Sequence, residues 1–171
     1  EGVVLTHHHR DHWAGAAATI EAFEGSLAAH PATMRHLEEQ TAGRRLLDRV
    51  EDRRVPLRDG DGYGRIAGRA VRWFHTPGHA SSHLVGSDMH GLMLVGDLVA
   101  GVGTVVINPP DGDMGEYLES LRRLRSGECG PPDRLLPSHG PTIADGAARL
   151  TAYLDHRLAR EQQVLAAIEA V

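Results

Sequence analysis

The chain has 171 residues, 41% of them hydrophobic and 24% charged, the size and balance of one globular domain with a buried core. A formal net charge of −5 argues against a broad basic surface for tracking nucleic acid, and no run approaches the ~18 apolar residues of a membrane helix. The single cysteine, Cys129, cannot close an internal disulfide, so nothing signals an oxidising compartment and a cytoplasmic location is expected. Set among Gly127, Gly130, Pro131 and Pro132, it reads as a loop thiol without a role. Twelve histidines are the compositional oddity.

Val3-Val4-Leu5 reads as a buried strand that runs into His7-His8-His9-Arg10-Asp11-His12. The chain starts on Glu1 rather than Met and enters this strand almost at once, so a preceding segment is expected. Ala16 to Phe23 suits a helix, and Ser26 to His30 a short strand stopped by Pro31. Thr33 to about Asp52 has helical period, with Gly43 as the expected break and its charges a solvated face. His30 and His36 read as surface or satisfied histidines. Leu57 to Gly62 is turn chemistry. Strands follow at Ala70–Phe74, Leu84–Gly86 and Leu92–Val95, with hairpin signals between them. Asp113-x-x-Glu116 is a capping box before Tyr117, Leu118, Leu121 and Leu124, and Gly127 closes that helix. Arg134 to Leu136 is a last short strand. Ala144 to Val171 is a long amphipathic helix with Leu150, Tyr153, Leu154, Leu158, Leu165 and Ile168 as its stripe. The mixture favours an α/β or α+β layered sandwich over residues 1–171.

Four strand ends carry metal-competent side chains. His7-x-His9 sets two imidazoles on one side of an extended backbone, and Asp11-His12 follow after one spacer. An expression tag would not be interrupted by Arg10 and Asp11 or preceded by a strand. Pro77-Gly78 turns the chain so as to project His79, Leu92 to Gly96 ends in Asp97, and Leu135-Leu136-Pro137-Ser138 leads to His139. Imidazole and carboxylate suit a borderline cation such as Zn²⁺. With Asp97 as a bridge, His7, His9, His79 and Asp97 make one ligand set, and Asp11, His12, His139 and Asp97 the other.

Thr6 to His12, Thr76 to His79, Gly96-Asp97 and Ser138 to Pro141 resemble, in order, the motif set of the metallo-β-lactamase fold hydrolases. The resemblance covers nearly the whole chain. It implies an αββα sandwich with a binuclear site, usually zinc, at one edge. Asp97 stands where class B β-lactamases usually place cysteine, which points away from antibiotic hydrolysis. Gly101-Val102-Gly103-Thr104, the helix Tyr117 to Leu124 and His156-Arg157 before Arg160-Glu161-Gln162-Gln163 are similar to the beta-lactamase-like protein 2 group of single-stranded RNA endonucleases. That group carries further strands before the first motif, so this sandwich is expected to be short by half of its first sheet.

The resemblance implies two Zn²⁺ about 3.5–4 Å apart that share a nucleophilic hydroxide. Phosphodiester cleavage of single-stranded RNA is the first expectation, although the acidic net charge weighs against it. Hydrolysis of a small-molecule ester or thioester, of the glyoxalase II or lactonase kind, is the alternative. No Lys-rich glutathione-binding tail follows His139, which weakens the thioester version. A metal-binding domain without activity is a third. No membrane partner is expected. Asp11 and Asp97 are expected to serve catalysis as well as ligation. His83 either donates to substrate or supports a ligand from behind, the second being preferred. His156 and Arg157 either contact an anionic substrate or pair with neighbouring acids on a helix face.

Overall fold

A computed structural model of the protein describes residues 2–170. The chain runs β1 (Gly2–Leu5), α1 (Arg10–Trp13), α2 (Ala16–Phe23), β2 (Ser26–Ala29), α3 (Pro31–Glu38), α4 (Thr41–Asp48) and β3 (Arg54–Pro56). It continues through β4 (Asp61–Ile66), β5 (Arg69–His75), β6 (Leu84–Ser87), β7 (Leu92–Gly96), α5 (Met114–Arg125), β8 (Arg134–Pro137) and α6 (Gly146–Glu169). β1, β2 and β3 form a parallel sheet in that order. The second sheet has the order β4-β5-β6-β7-β8, antiparallel except where β7 and β8 run parallel.

Three apolar clusters define the layers. Leu5, Trp13, Ile20, Leu27, Leu37 and Leu47 pack the first four helices onto the parallel sheet. Ala28, Leu57, Val71, Trp73 and Leu84 fill the space between the sheets. Met93, Val95, Tyr117, Leu121, Leu135 and Leu150 are among those that join the second sheet to α5 and α6. The parallel sheet and the β5–β8 part of the second sheet are thus covered on both faces, while β4 stays largely open to solvent. The helix–sheet–sheet–helix order is the expected αββα sandwich.

Several local expectations are corrected. The helical stretch after Thr33 breaks at Gln40, not at Gly43. Gly43 sits inside α4, where a Cβ would lie 2.4 Å from the Leu37 carbonyl oxygen, so it serves close packing of α4 on α3. β3 and most of β4 fall where no strand is expected, because β4 is mostly exposed and glycine-bearing. Cys129 is fully buried in the α5–α6 cluster, and burial pushes its thiol up to about 11. α6 packs only through its first half: Leu150, Tyr153 and Leu154 are buried, whereas Leu158, Leu165 and Ile168 are exposed. The last residue of the expected helix, Val171, lies outside the described residues. No helix among the described residues is long and apolar enough to cross a membrane.

Gly78 fixes the second sheet to α5. It adopts φ +126°, and a Cβ there would lie 2.2 Å from the Tyr117 backbone nitrogen. Only glycine allows the turn before His79 to approach the helix this closely.

Candidate metal centre

His7 follows the last residues of β1 and is fully buried. His9 is the N-cap residue of α1, with extended φ/ψ. One helical turn then carries Asp11 and His12, so the expected turn is helical, with His12 N–H donating to the His9 carbonyl at 3.0 Å. His79 comes from the loop after β5, Asp97 from the residue after β7, and His139 from the loop after β8. The Ser138 N–H donates to the Gly96 carbonyl at 3.0 Å and ties the last two strand ends together.

These side chains converge in two groups. His7 Nε2 lies 2.9 Å from His9 Nδ1, which lies 3.1 Å from His79 Nε2. His12 Nε2 is 3.3 Å from Asp97 Oδ2 and 3.5 Å from Asp11 Oδ2. His139 Nε2 is 3.4 Å from Asp97 Oδ2 and 3.3 Å from Asp11 Oδ2. Asp97 Oδ2 is also 3.6 Å from His79 Nε2, so it faces both groups. Two ligands each ~2.1 Å from one tetrahedral ion stand ~3.3–3.4 Å apart, which matches to about 0.1 Å the edges that His12 and His139 make with Asp97 and Asp11. His12 Nε2 and Asp97 Oδ1 are buried without a hydrogen-bond partner, an arrangement that costs free energy unless a cation satisfies them. Nitrogen and oxygen donors in this mixture fit Zn²⁺ or another borderline cation.

The directions for His7, His9 and Asp97 favour the ligating forms, whereas in His12 the proton competes with a cation for the same carboxylate-facing nitrogen. Burial, then the surrounding imidazoles, lowers the pKa of His7; burial and His79 lower that of His9. Burial opposes charge on His12 but is outweighed by Asp97 and Asp11, which raise its pKa. Burial would raise Asp97, yet His12 first and then His139 and His79 keep its carboxyl below the usual range.

The outer contacts hold this arrangement. His83 is fully buried, and its Nε2 accepts the Asp97 backbone N–H at 3.1 Å. Its Nδ1 lies 2.9 Å from Thr76 Oγ1, and burial drives its pKa down to about 3. His83 therefore sits behind Asp97. Gly96, at φ +52°, allows this: a Cβ there would lie 2.6 Å from His83 Nε2. His79 Nδ1 lies 2.8 Å from the Val106 carbonyl, and the Gly101 N–H donates to the His139 carbonyl at 2.8 Å.

His156 and Arg157 sit elsewhere. Arg157 Nη2 donates to Thr104 Oγ1 at 2.8 Å and to the Val105 carbonyl, with its guanidinium 5.2 Å from the centre of the Tyr117 ring. His156 lines a groove with Gly103, Thr104, Arg149 and Tyr153. Arg157 thus pins the Thr104 hydroxyl and the Val105 carbonyl, and neither side chain belongs to the clusters of ligand atoms.

Sequence reasoning missed two side-chain groupings and two cavities. His8, His36 and Asp111 bring their ligand atoms within 4.8 Å of one another, and the His30 and His75 rings stack at 4.3 Å. A cavity of about 260 Å³ beside His9 and His79 is lined also by Val106, Asn108, Pro109 and Pro110. A larger one, about 1030 Å³, opens between the sheets beside Tyr63 and Trp73; the ligand residues do not line it.

The family model of the metallo-beta-lactamase superfamily matches residues 1–139. The lactamase-like protein vrtG of Penicillium aethiopicum is 32% identical over 173 residues, which cover 100% of this chain and 48% of that protein. The beta-lactamase-like protein 2 homolog of Drosophila melanogaster is 37% identical over 98 residues, 57% of this chain and 31% of its own. The atrochrysone carboxyl ACP thioesterase of Emericella nidulans is 32% identical over 117 residues, 68% of this chain and 36% of its own. The chain thus spans half or less of the length of these curated relatives. Among solved structures, the metallo-beta-lactamase family protein TTHA1429 from Thermus thermophilus superposes with a TM-score of 0.73 at 26% identity, covering 97% of this chain and 63% of that one. TTHA1623, solved in a di-iron-bound form, does so with a TM-score of 0.64 at 28% identity, covering 87% and 75%. Members of the matched superfamily are hydrolases and typically bind metal ions. The family match, the αββα layers and the histidine–aspartate centre agree: this chain belongs to the metallo-beta-lactamase superfamily.

Proposed function

We propose that the domain is a hydrolase holding two Zn²⁺ and cleaving a small acyl thioester or related ester. The carrying observation is the segment 101–106. Its ends grip the backbone of His139 and the ring of His79, and it presents Val102 and Val106 to solvent at 74% and 71% exposure. Exposed apolar side chains beside a polar centre mark a binding surface for apolar ligand groups. Val106, Pro109 and Pro110 continue this surface into the 260 Å³ cavity, whose lining includes the Asp111 carboxylate and no Lys or Arg. An acyl chain suits that wall better than a polyanion, in keeping with the net charge of −5. The thioesterase name of one relative supports the same reading.

Bound metal supplies Lewis acidity and a nucleophile competent at neutral pH. The protein's own part is positional. His7, His9 and His79 offer ring nitrogens from one side, Asp97 faces both groups, and His83 holds Asp97 from behind. Asp11, with its side chain 61% exposed, is the carboxylate at the open side and would hold the metal through Oδ2 while leaving its other oxygen to orient the attacking water. The Val106–Pro110 wall gives the acyl group an apolar surface to lie against and sets its direction of approach.

The test is a panel of acyl thioesters and lactones assayed with the zinc-loaded chain, with Asp97→Ala as control. Turnover that disappears in the control is expected. Cleavage of an unstructured oligoribonucleotide by the same chain, without thioester or lactone turnover, would replace this reading with phosphodiester hydrolysis.

A further inference from the structure

We propose that His8, His36 and Asp111 form a third divalent-cation site beside the pair already described. Three separate elements deliver them: the β1–α1 connection, α3, and the loop that precedes α5. The His8 and His36 rings lie face to face, 4.0 Å apart at 22°. His8 Nε2 stands 3.4 Å from Asp111 Oδ2, and His36 Nε2 stands 4.0 Å from Asp111 Oδ1.

Neither spacing is that of a good hydrogen bond, which falls near ~2.7–3.2 Å. The first repeats the 3.3 and 3.4 Å edges that His12 and His139 make with Asp97. That separation leaves room for an ion ~2.0–2.2 Å from each donor atom. Asp111 Oδ2 is buried without a hydrogen-bond partner, as are Asp97 Oδ1 and His12 Nε2 in the main centre.

The other atoms of two of these ligands are tied down, as metal ligands are elsewhere. His8 Nδ1 lies 3.0 Å from Ser82 Oγ. Asp111 Oδ1 accepts from the Ser81 N–H at 3.2 Å and from Ser81 Oγ at 2.6 Å. The His36 side chain is 35% exposed, which gives an ion a way in. The site has one carboxylate and shares a wall with the main centre, since His9 Nε2 lies 3.9 Å from Asp111 Oδ2. Repulsion from the neighbouring ions therefore makes it the weakest of the three and the last to fill.

A rival arrangement is that Asp111 only orients His8 and His9, with His36 packed beside them. His36 separates the two, because an orienting carboxylate has no need of it. Metal-free chain is dialysed against rising Zn²⁺, and bound zinc is measured by elemental analysis. Three ions per chain at saturation are expected for the wild type, and two for His36→Ala and for Asp111→Asn. Saturation of the wild type at two or fewer, or equal binding by wild type and His36→Ala, overturns the site. Metal-edge anomalous diffraction from zinc-soaked crystals gives a second reading: a peak between His8 Nε2 and Asp111 supports it, and peaks confined to the main centre overturn it.

Discussion

His83 Nε2 accepts the backbone N–H of Asp97 at 3.1 Å, so a fully buried imidazole fixes the residue whose carboxylate faces His12, His79 and His139. Thr76 Oγ1 holds the opposite ring nitrogen at 2.9 Å. The carboxylate that faces both ligand groups is thus set from behind. Replacing His83 by Ala leaves the buried Asp97 N–H and the Thr76 hydroxyl unpaired, at about 1–3 kcal/mol for each unsatisfied group, plus a cavity. A lower melting temperature together with reduced zinc per chain is expected; full zinc occupancy with unchanged melting would refute the positioning role.

Asp97→Asn keeps the shape and removes the charge that both groups share. Its effect on activity is expected to exceed the ~10–100-fold loss typical of an outer-shell partner, with zinc content falling at both positions. Elemental analysis alongside initial rates decides this, and near-normal zinc with normal rates would remove Asp97 from the bridge.

Chelation follows the same linkage. A site whose free metal stands at a hundred times its Kd stabilises the fold by about 2.7 kcal/mol. Dialysis against a chelator should lower the melting temperature, and zinc should restore it. No shift on chelation would mean that the buried, unpartnered His12 Nε2 and Asp97 Oδ1 are not satisfied by a bound ion.

His30 gives a pH dependence outside the metal centre. Burial, then the stacked His75, and then Arg35 and Arg58 lower its pKa to about 4 from 6.5. Below about pH 6.5 the unfolded chain takes up this proton, while the folded chain resists until about pH 4. Stability present above 6.5 is therefore lost as the pH falls toward 4. His30 also caps α3 by accepting the Ala32 N–H at 3.3 Å. Asn keeps a capping oxygen and does not titrate. His30→Asn should therefore flatten the fall in melting temperature between pH 6.5 and 4, and a profile identical to wild type would show that His30 contributes nothing to it.

Arg157 holds Thr104 and the Val105 carbonyl, next to the Val106 carbonyl that orients His79. Arg157→Met should slow the turnover of neutral and anionic substrates alike, several-fold, with little change in salt dependence. A loss confined to anionic substrates and relieved by salt would instead make Arg157 a substrate contact.

The ligand candidates were legible because each follows a short apolar strand, and a strand end exports its next side chains to one edge of the sheet. The α5 cap was legible for the same local reason: Asp113 Oδ1 accepts the Glu116 N–H at 2.8 Å, within one helical turn. β4 was not legible, because its exposed, glycine-bearing pattern has no alternation to read. Nor was the helix break at Gln40, since the obvious glycine, Gly43, is used for contact with Leu37.

By itself, then, the sequence determined the donor types, their order and the layered class, all of which rest on patterns spanning a few residues. The tertiary structure alone decided the contacts beyond the two ligand sets. It brought His8, His36 and Asp111 together, set His83 behind Asp97, and turned Arg157 onto the Thr104 hydroxyl and the Val105 carbonyl. It also buried Cys129 and left the second half of α6 exposed. These outcomes depend on how sheets and helices pack across long stretches of chain, where local propensity and periodicity carry no information.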